Sequence, residues 1–211
     1  MPEIKIIHGD CLEYMATLKD KAFDICLTDP PYGVNLTYST YIDTEDNWYN
    51  LMHKFIPEAK RISKMVIMPS CQIKRLEWFY KNHPPDWLIC WHKGSTGCAS
   101  YVGFNDWEPL VVYGKTKKQL YMHDYLSLTN SEKLGKHGHP CPKPIAWSKN
   151  ILKNCLPNGG RVIDPFLGSG SSAIAADIMG FDFVGIEIDE DYYKAALDRF
   201  NRHKQQLTLE L

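Results

Sequence analysis

The sequence predicts an α/β fold: a mostly parallel sheet with one antiparallel edge strand. Three observations predict it. Short apolar segments rich in β-branched residues alternate with stretches of helical period, the pattern of strands joined by crossover helices. A strand-like segment at 161–163 runs into the glycine turn Gly168-Ser169-Gly170 and then a helix near Ser171, a strand-turn-helix unit of the nucleotide-binding kind. Two segments, 87–91 and 109–113, have no helix between them, so they pair antiparallel through the loop carrying Gly94-Ser95-Thr96-Gly97.

In chain order, strands are expected at 4–8, 23–28, 65–68, 87–91, 109–113, 161–163 and 183–188. Helices are expected at 11–18, 49–63, 72–82, 144–156 and 171–179. A last helix follows Asp189, a good N-cap, with Tyr193, Ala196, Leu197 and Phe200 at helical spacing. Two stretches resist assignment: 33–47, polar and irregular, and 115–139, rich in lysine and glycine. Irregular segments of that length inside a domain are usually functional or mobile.

A chain of 211 residues is long enough for one domain with a substantial core, and a single domain over 1–211 is expected. Its 44% hydrophobic and 23% charged residues are those of a globular protein, and no apolar run approaches the roughly 20 residues a membrane helix needs. Met1-Pro2-Glu3-Ile4-Lys5 lacks the sections of a signal peptide, so a cytoplasmic location with seven reduced cysteines is expected. No Cys-x-x-Cys pair is present. His137, His139 and Cys141 lie close together in sequence, but a partial cluster in a glycine- and proline-flanked loop predicts no metal site.

The formal charge of −1 conceals a basic stretch, with lysines at 115, 117, 118, 133, 136, 143, 149 and 153 against only Asp124 and Glu132. Such a stretch suits phosphate contacts, or is a solvated face.

Two constellations carry chemistry. Asp29-Pro30-Pro31-Tyr32-Gly33 follows the strand at 23–28 and combines a carboxylate, carbonyls freed of competing backbone donors, and an aromatic face. That set can hold a flat base bearing an amino group, although the same residues also serve as an ordinary turn. Far along the chain, Val162-Ile163-Asp164-Pro165-Phe166-Leu167-Gly168-Ser169-Gly170 lets a ligand approach backbone at a helix N-terminus. Glu187, about 20 residues further on, is placed to hold the hydroxyls of a ribose.

With these motifs the chain resembles the amino-group DNA methyltransferases that use S-adenosylmethionine, a family with an Asp-Pro-Pro-Tyr and a Phe-x-Gly-x-Gly motif. A third anchor, His139-Pro140-Cys141-Pro142-Lys143-Pro144, is similar to the family's His-Pro-x-x-Lys-Pro signature. The order, catalytic motif first and cofactor motif last, is that of the family's beta group. The resemblance implies a Rossmann-like methyltransferase sheet with circularly permuted motif order. The strand at 161–163 would lie beside the one ending at Glu187, with that ending at Asp10 outside and that ending at Asp29 on the other side.

The resemblance also implies roles. Asp29 and the Pro30 carbonyl would accept the two N–H bonds of an exocyclic amine, with Pro31 shaping the turn and Tyr32 stacking on the base. The cofactor S-adenosylmethionine would be held by Asp10 and Cys11 at the adenine, by Glu187 and Ile188 at the ribose, and by Asp29, Asp164, Pro165, Phe166, Gly168, Ser169 and Gly170 around its methionine half. Lys143, or the donors of 168–171, would take the methionine carboxylate. Each has a plainer reading: Asp10 as a helix cap and Phe166 as core. Asp in the first motif position tilts the target to adenine N6, with cytosine N4 or a non-catalytic nucleic-acid-binding subunit as alternatives.

The expected partner is DNA, double-stranded with the target base flipped out. Lys115, Lys117, Lys118, Lys133 and Lys136 would contact it from a short target-recognition segment at 115–139, where relatives usually carry a larger region. The segment 33–47, with Tyr38, Tyr41 and Trp48, either closes over the base or is a connector. A homodimer and a companion restriction nuclease complete the partners the resemblance allows; a membrane is not among them.

Overall fold

The computed structural model describes residues 2–36, 38–94, 103–115, 123–128 and 142–209. Its strands are β1 (Ile4–His8), β2 (Phe23–Leu27), β3 (Ser63–Pro69), β4 (Trp87–His92), β5 (Trp107–Gly114), β6 (Tyr125–Ser127), β7 (Arg161–Asp164) and β8 (Asp182–Glu187). Its helices are α1 (Cys11–Ala16), α2 (Glu45–Ile62), α3 (Leu76–Asn82), α4 (Ile145–Cys155), α5 (Ser171–Met179) and α6 (Glu190–Leu209), with a single 3₁₀ turn, Ile73–Arg75, ahead of α3. The eight strands form one sheet in the order β1-β8-β7-β2-β3-β5-β4-β6.

The order β1-β8-β7-β2 is the permuted arrangement expected from the motifs, and all three of its pairings are parallel. The antiparallel pairing of 87–91 with 109–113 also holds, as β4 against β5. Its position differs from that expected. The reversed strand β5 is not the edge itself: it is antiparallel to β3 on one side and β4 on the other, and β6 lies outside β4. The crossover through α3 carries β4 one place beyond β3 and leaves a slot for β5. β6 escapes sequence reading because three residues are too few to show a period.

Helices α1–α3 pack on one face of the sheet and α4–α6 on the other, each over its own apolar cluster. Met15, Trp48, Phe55 and Phe79 fill the first with Cys26 and Tyr113. Trp91, Trp147, Ile151, Ala173 and Ala196 fill the second with Ile25 and Leu27. Being covered on both faces, β2 reads as a continuous apolar run rather than an alternation. α2 starts four residues before its expected Tyr49, because Thr44 caps it by accepting from the Asn47 N–H and Glu45 and Asp46 complement its first turn. Trp48 therefore lies on the buried face of α2, fully inaccessible, and is core rather than part of a cover over the site.

Candidate active site

Parallel strands deliver their carboxyl ends to one rim, and the four acids of the sequence reading meet there. Asp10 follows β1, Glu187 ends β8, Asp164 ends β7 and Asp29 follows β2, on four neighbouring strands. A cleft opens along this rim. Of the expected residues it is lined by Asp10, Cys11, Asp29, Pro30, Pro31, Tyr32, Lys143, Pro165, Phe166, Gly168, Glu187 and Ile188. A smaller hollow beside it shares Asp29, Lys143, Phe166 and Gly168 and adds Asp164 and Ser169. Gly170 lines neither. It turns the chain into α5 with φ of 77°, and a side chain there would meet Ala196 of α6 at 3.2 Å, so its smallness serves helix packing.

The acids differ in what they hold. The Asp10 carboxylate accepts from the N–H groups of Leu12 and Glu13 at 2.7 and 3.1 Å, so it caps α1 while it faces the cleft. Glu187 accepts from the N–H groups of Gly168 and Asp189, at 2.8 and 3.0 Å, fixing the glycine turn to the end of β8. Burial pushes its carboxyl up in spite of these bonds. Asp164 is deeper: Thr28 and Ser172 hydroxyls donate to it at 2.6 and 2.5 Å and the Phe166 N–H at 3.2 Å. Burial outweighs all three donors and pushes it up to about 6. Asp164 thus ties β2, β7 and α5 together beneath the site. Cys11 is no nucleophile, since burial pushes its thiol up to about 12.

Around Asp29 a polar network is already formed. The Tyr32 hydroxyl donates to Asp29 Oδ1 at 3.0 Å, and Lys143 Nζ lies 2.9 Å from Asp29 Oδ2 and donates to the Tyr32 hydroxyl at 2.8 Å. Lys143 also stands 5.0 Å from the Tyr32 ring centroid. The sequence reading offered Lys143, or the donors of 168–171, for a methionine carboxylate; in the fold the Lys143 ammonium sits on Asp29 and Tyr32. That follows from its position just ahead of α4, which carries it under the end of β2.

The turn after Tyr32 is held by two buried ions that sequence reading missed. Asp43, 2% exposed, accepts from the N–H groups of Gly33, Val34 and Leu36 at 2.6, 3.0 and 3.1 Å. Arg75, also 2% exposed, donates to the Gly33 carbonyl at 3.0 Å and lies 4.1 Å from the Trp48 ring. No motif flags them, because an Asp in a polar loop and an Arg before a helix look like surface. Tyr38, Tyr41 and Tyr192 line the cleft. Ser39 donates to Asp189, tying this segment to the start of α6. On the opposite wall, buried Arg199 of α6 donates to the Ser169 carbonyl at 2.9 Å and to the Ser171 hydroxyl at 2.9 Å.

Among the five lysines expected on DNA, only Lys115 lies within the described residues; Lys117, Lys118, Lys133 and Lys136 do not. Lys115 follows the end of β5, and because β5 is reversed this is the rim opposite the cleft, next to Met65 at the start of β3. It is exposed but cannot serve the catalytic rim. His137, His139 and Cys141 also lie outside the described residues. Among the described residues, no helix is long and apolar enough to cross a membrane.

Comparison with known proteins agrees with this geometry. Residues 72–198, more than half of the chain, match the family described as DNA methylase. DNA adenine methyltransferase YhdJ of Escherichia coli (strain K12) is 27% identical, over 93% of this chain and 82% of its own. Among solved structures, the M1.HpyAVI-SAM complex superposes with a TM-score of 0.66 at 22% identity, over 94% of this chain and 99% of that one. The cytosine-N4-specific PvuII DNA methyltransferase superposes with a TM-score of 0.74 at 15% identity, over 95% and 87%.

Proposed function

This chain belongs to the DNA methylase family, and from that premise we propose that it moves a methyl group from S-adenosylmethionine to the exocyclic N6 of an adenine flipped out of DNA. The observation that carries the reading is the convergence of Asp29-Pro30-Pro31-Tyr32 and of Gly168 with Glu187 on one cleft. Bound there, the cofactor supplies a methyl group on a sulfonium, an electrophile that asks for neither a metal nor a covalent nucleophile. The residues of this chain supply alignment and charge.

Glu187, buried at the end of β8 and open to the cleft, suits the two hydroxyls of a ribose, as the acid after the second strand does in dinucleotide folds. Asp10 and the backbone at Cys11 face the adenine side; Ile188, half exposed, packs beside it. Pro165, Phe166, Gly168 and the N-terminus of α5 bound the methionine side, and Asp164 and Ser169 line the adjoining hollow. For the target, Asp29 Oδ2 already accepts an N–H from an ammonium, which is the bond an amino group would make in its place. A second N–H on the Pro30 carbonyl would favour a pyramidal nitrogen, whose lone pair is free to attack. Tyr32 would stack on the base. These atoms are out of reach inside a duplex, so the base leaves the stack at a cost of a few kcal/mol.

The choice of adenine rests on Asp29 in the first motif position, with the similarity to an enzyme named as an adenine methyltransferase in support. DNA contacts are proposed for Lys117, Lys118, Lys133 and Lys136, without Lys115, which predicts affinity that falls steeply with salt and a short recognition site. The test is to incubate the protein with unmethylated DNA and labelled S-adenosylmethionine, digest to nucleosides and identify the product. Label is expected in N6-methyladenine with the wild type and is lost with Asp29→Ala. Label in N4-methylcytosine would move the target, and equal labelling by Asp29→Ala would remove Asp29 from the chemistry.

A further inference from the structure

Methylating an amine releases a proton. An amino group and a methyl sulfonium give a methylamino group, a neutral thioether and one H⁺, so an enclosed site must provide a route for that proton. Asp29 faces the amine, but its two oxygens are already engaged by the Tyr32 hydroxyl and Lys143. A second carboxylate lies behind them. Glu108, the second residue of β5, is 6% exposed, and its Oε1 is buried without a hydrogen-bond partner among the described residues. Leaving a buried carboxylate oxygen unpartnered costs free energy, and such a cost points to a use.

Glu108 reaches its place because β5 is reversed. The start of this strand, not its end, stands at the catalytic rim, opposite Trp91 of β4. There the Glu108 carboxylate comes within interaction range of the Tyr32 hydroxyl, whose single proton points instead to Asp29. One hydroxyl therefore stands between two carboxylates. Burial, then Asp29 and Glu108, keep the phenol neutral by raising it well above its ordinary value, so it can hand on a proton without becoming phenolate. The other groups facing the pair are two lysines, a thiol and one further carboxylate. Lys93, just after β4, is 3.5 Å from Glu108 Oε2, and Lys143 donates to the Tyr32 oxygen. Cys71, after β3, stays a thiol because burial pushes it up, and Asp164 adds its charge on the far side of Asp29.

We propose that Glu108 is the terminal acceptor of the proton released by methyl transfer, receiving it from Asp29 through the Tyr32 hydroxyl. The methylated nitrogen gives its extra proton to Asp29. Asp29 donates it to the Tyr32 oxygen as the Tyr32 hydroxyl turns its own proton to the Glu108 carboxylate. One O–H bond forms and one breaks at Tyr32, Asp29 regains its charge for the next amine, and Glu108 ends protonated until it exchanges with water. Lys93 stands beside Glu108 Oε2, and Lys143 steadies the tyrosine oxygen throughout. Glu108 acts through Tyr32 and touches no reacting atom.

The inference rests on the methyltransferase reading, and the test separates the two. If the wild type labels no nucleoside, the reading itself fails. If it does label one, Glu108→Gln, which keeps shape and removes the acceptor, is expected to bind S-adenosylmethionine and DNA as the wild type does. Its single-turnover rate is expected to fall about 100-fold, a typical loss for a proton-transfer group. Glu108→Asp, which keeps an acceptor, is expected to recover part of the lost rate. Independently of rate, difference infrared spectra across one completed turnover should show a protonated carboxylic acid in the wild type and not in Glu108→Gln. An unchanged single-turnover rate in Glu108→Gln, or the same band in both proteins, overturns the relay.

Discussion

Glu187 answers to two demands at once, holding the Gly168 and Asp189 N–H groups while offering its remaining lone pairs to the cleft. Glu187→Ala is therefore expected to weaken S-adenosylmethionine binding by about 10- to 100-fold, the worth of one or two hydrogen bonds to a charged group, as read by calorimetry. Unchanged affinity would remove it from the ribose. Asp164 makes a different prediction, about pH. Its folded value of about 6 lies above the unfolded 3.8, so the folded protein holds an extra proton between these values, and stability drains away as pH rises through that window. Two units correspond to about 3 kcal/mol. The difference in unfolding free energy between wild type and Asp164→Asn should move against the wild type by about that much from pH 4 to pH 7 in denaturant titrations. A difference that stays flat would show that the three donors dominate burial after all.

At the scale of elements, the turn after Tyr32 shows how a catalytic motif is kept in place. Gly33 has φ of 60°, and a side chain there would meet Trp48 Cβ at 2.7 Å and Arg75 Nη2 at 2.9 Å. Gly33→Ala is expected to cost about 2 kcal/mol from the left-handed backbone and the overlap, and to reduce methyl transfer more than cofactor binding, because the displaced neighbour is Tyr32. Equal loss of both, in kinetics beside calorimetry, would argue for general unfolding instead. The motifs and most of the strands were legible because glycine, proline and apolar runs announce backbone requirements, and the permuted order followed from the family resemblance. Asp43, Arg75 and Glu108 were not. Their meaning lies in burial, and burial is set by partners far along the chain: Arg75 by Trp48, Glu108 by the reversal of β5. Lys115 misled for the same reason, since charge in a sequence carries no direction and β5 points it away from the cleft.

Across the whole molecule, the cleft joins groups from both ends of the chain: Asp10 and Asp29 from one, Gly168 and Glu187 from the other. Ligand bound there stabilises the folded state as a unit. At 100 times its dissociation constant S-adenosylmethionine should add about 2.7 kcal/mol, and raise the melting temperature by about 5–10 °C for a protein of this size. Loss of the shift in Glu187→Ala at the same concentration, with the base melting temperature kept, would place the effect in the cleft. The strand order has one more consequence, in time rather than in energy. Within the described sheet β1 and β2 precede the other strands in the chain, yet they never touch: two strands separate them, and those two, β8 and β7, follow all the others. Until residues beyond 160 have emerged, the early strands face each other across an open gap with unpaired backbone on both sides, a state that folds slowly and invites stray pairing. The protein must wait for its cofactor motif before its sheet can close, so a chain arrested before that point has neither a finished sheet nor a cleft.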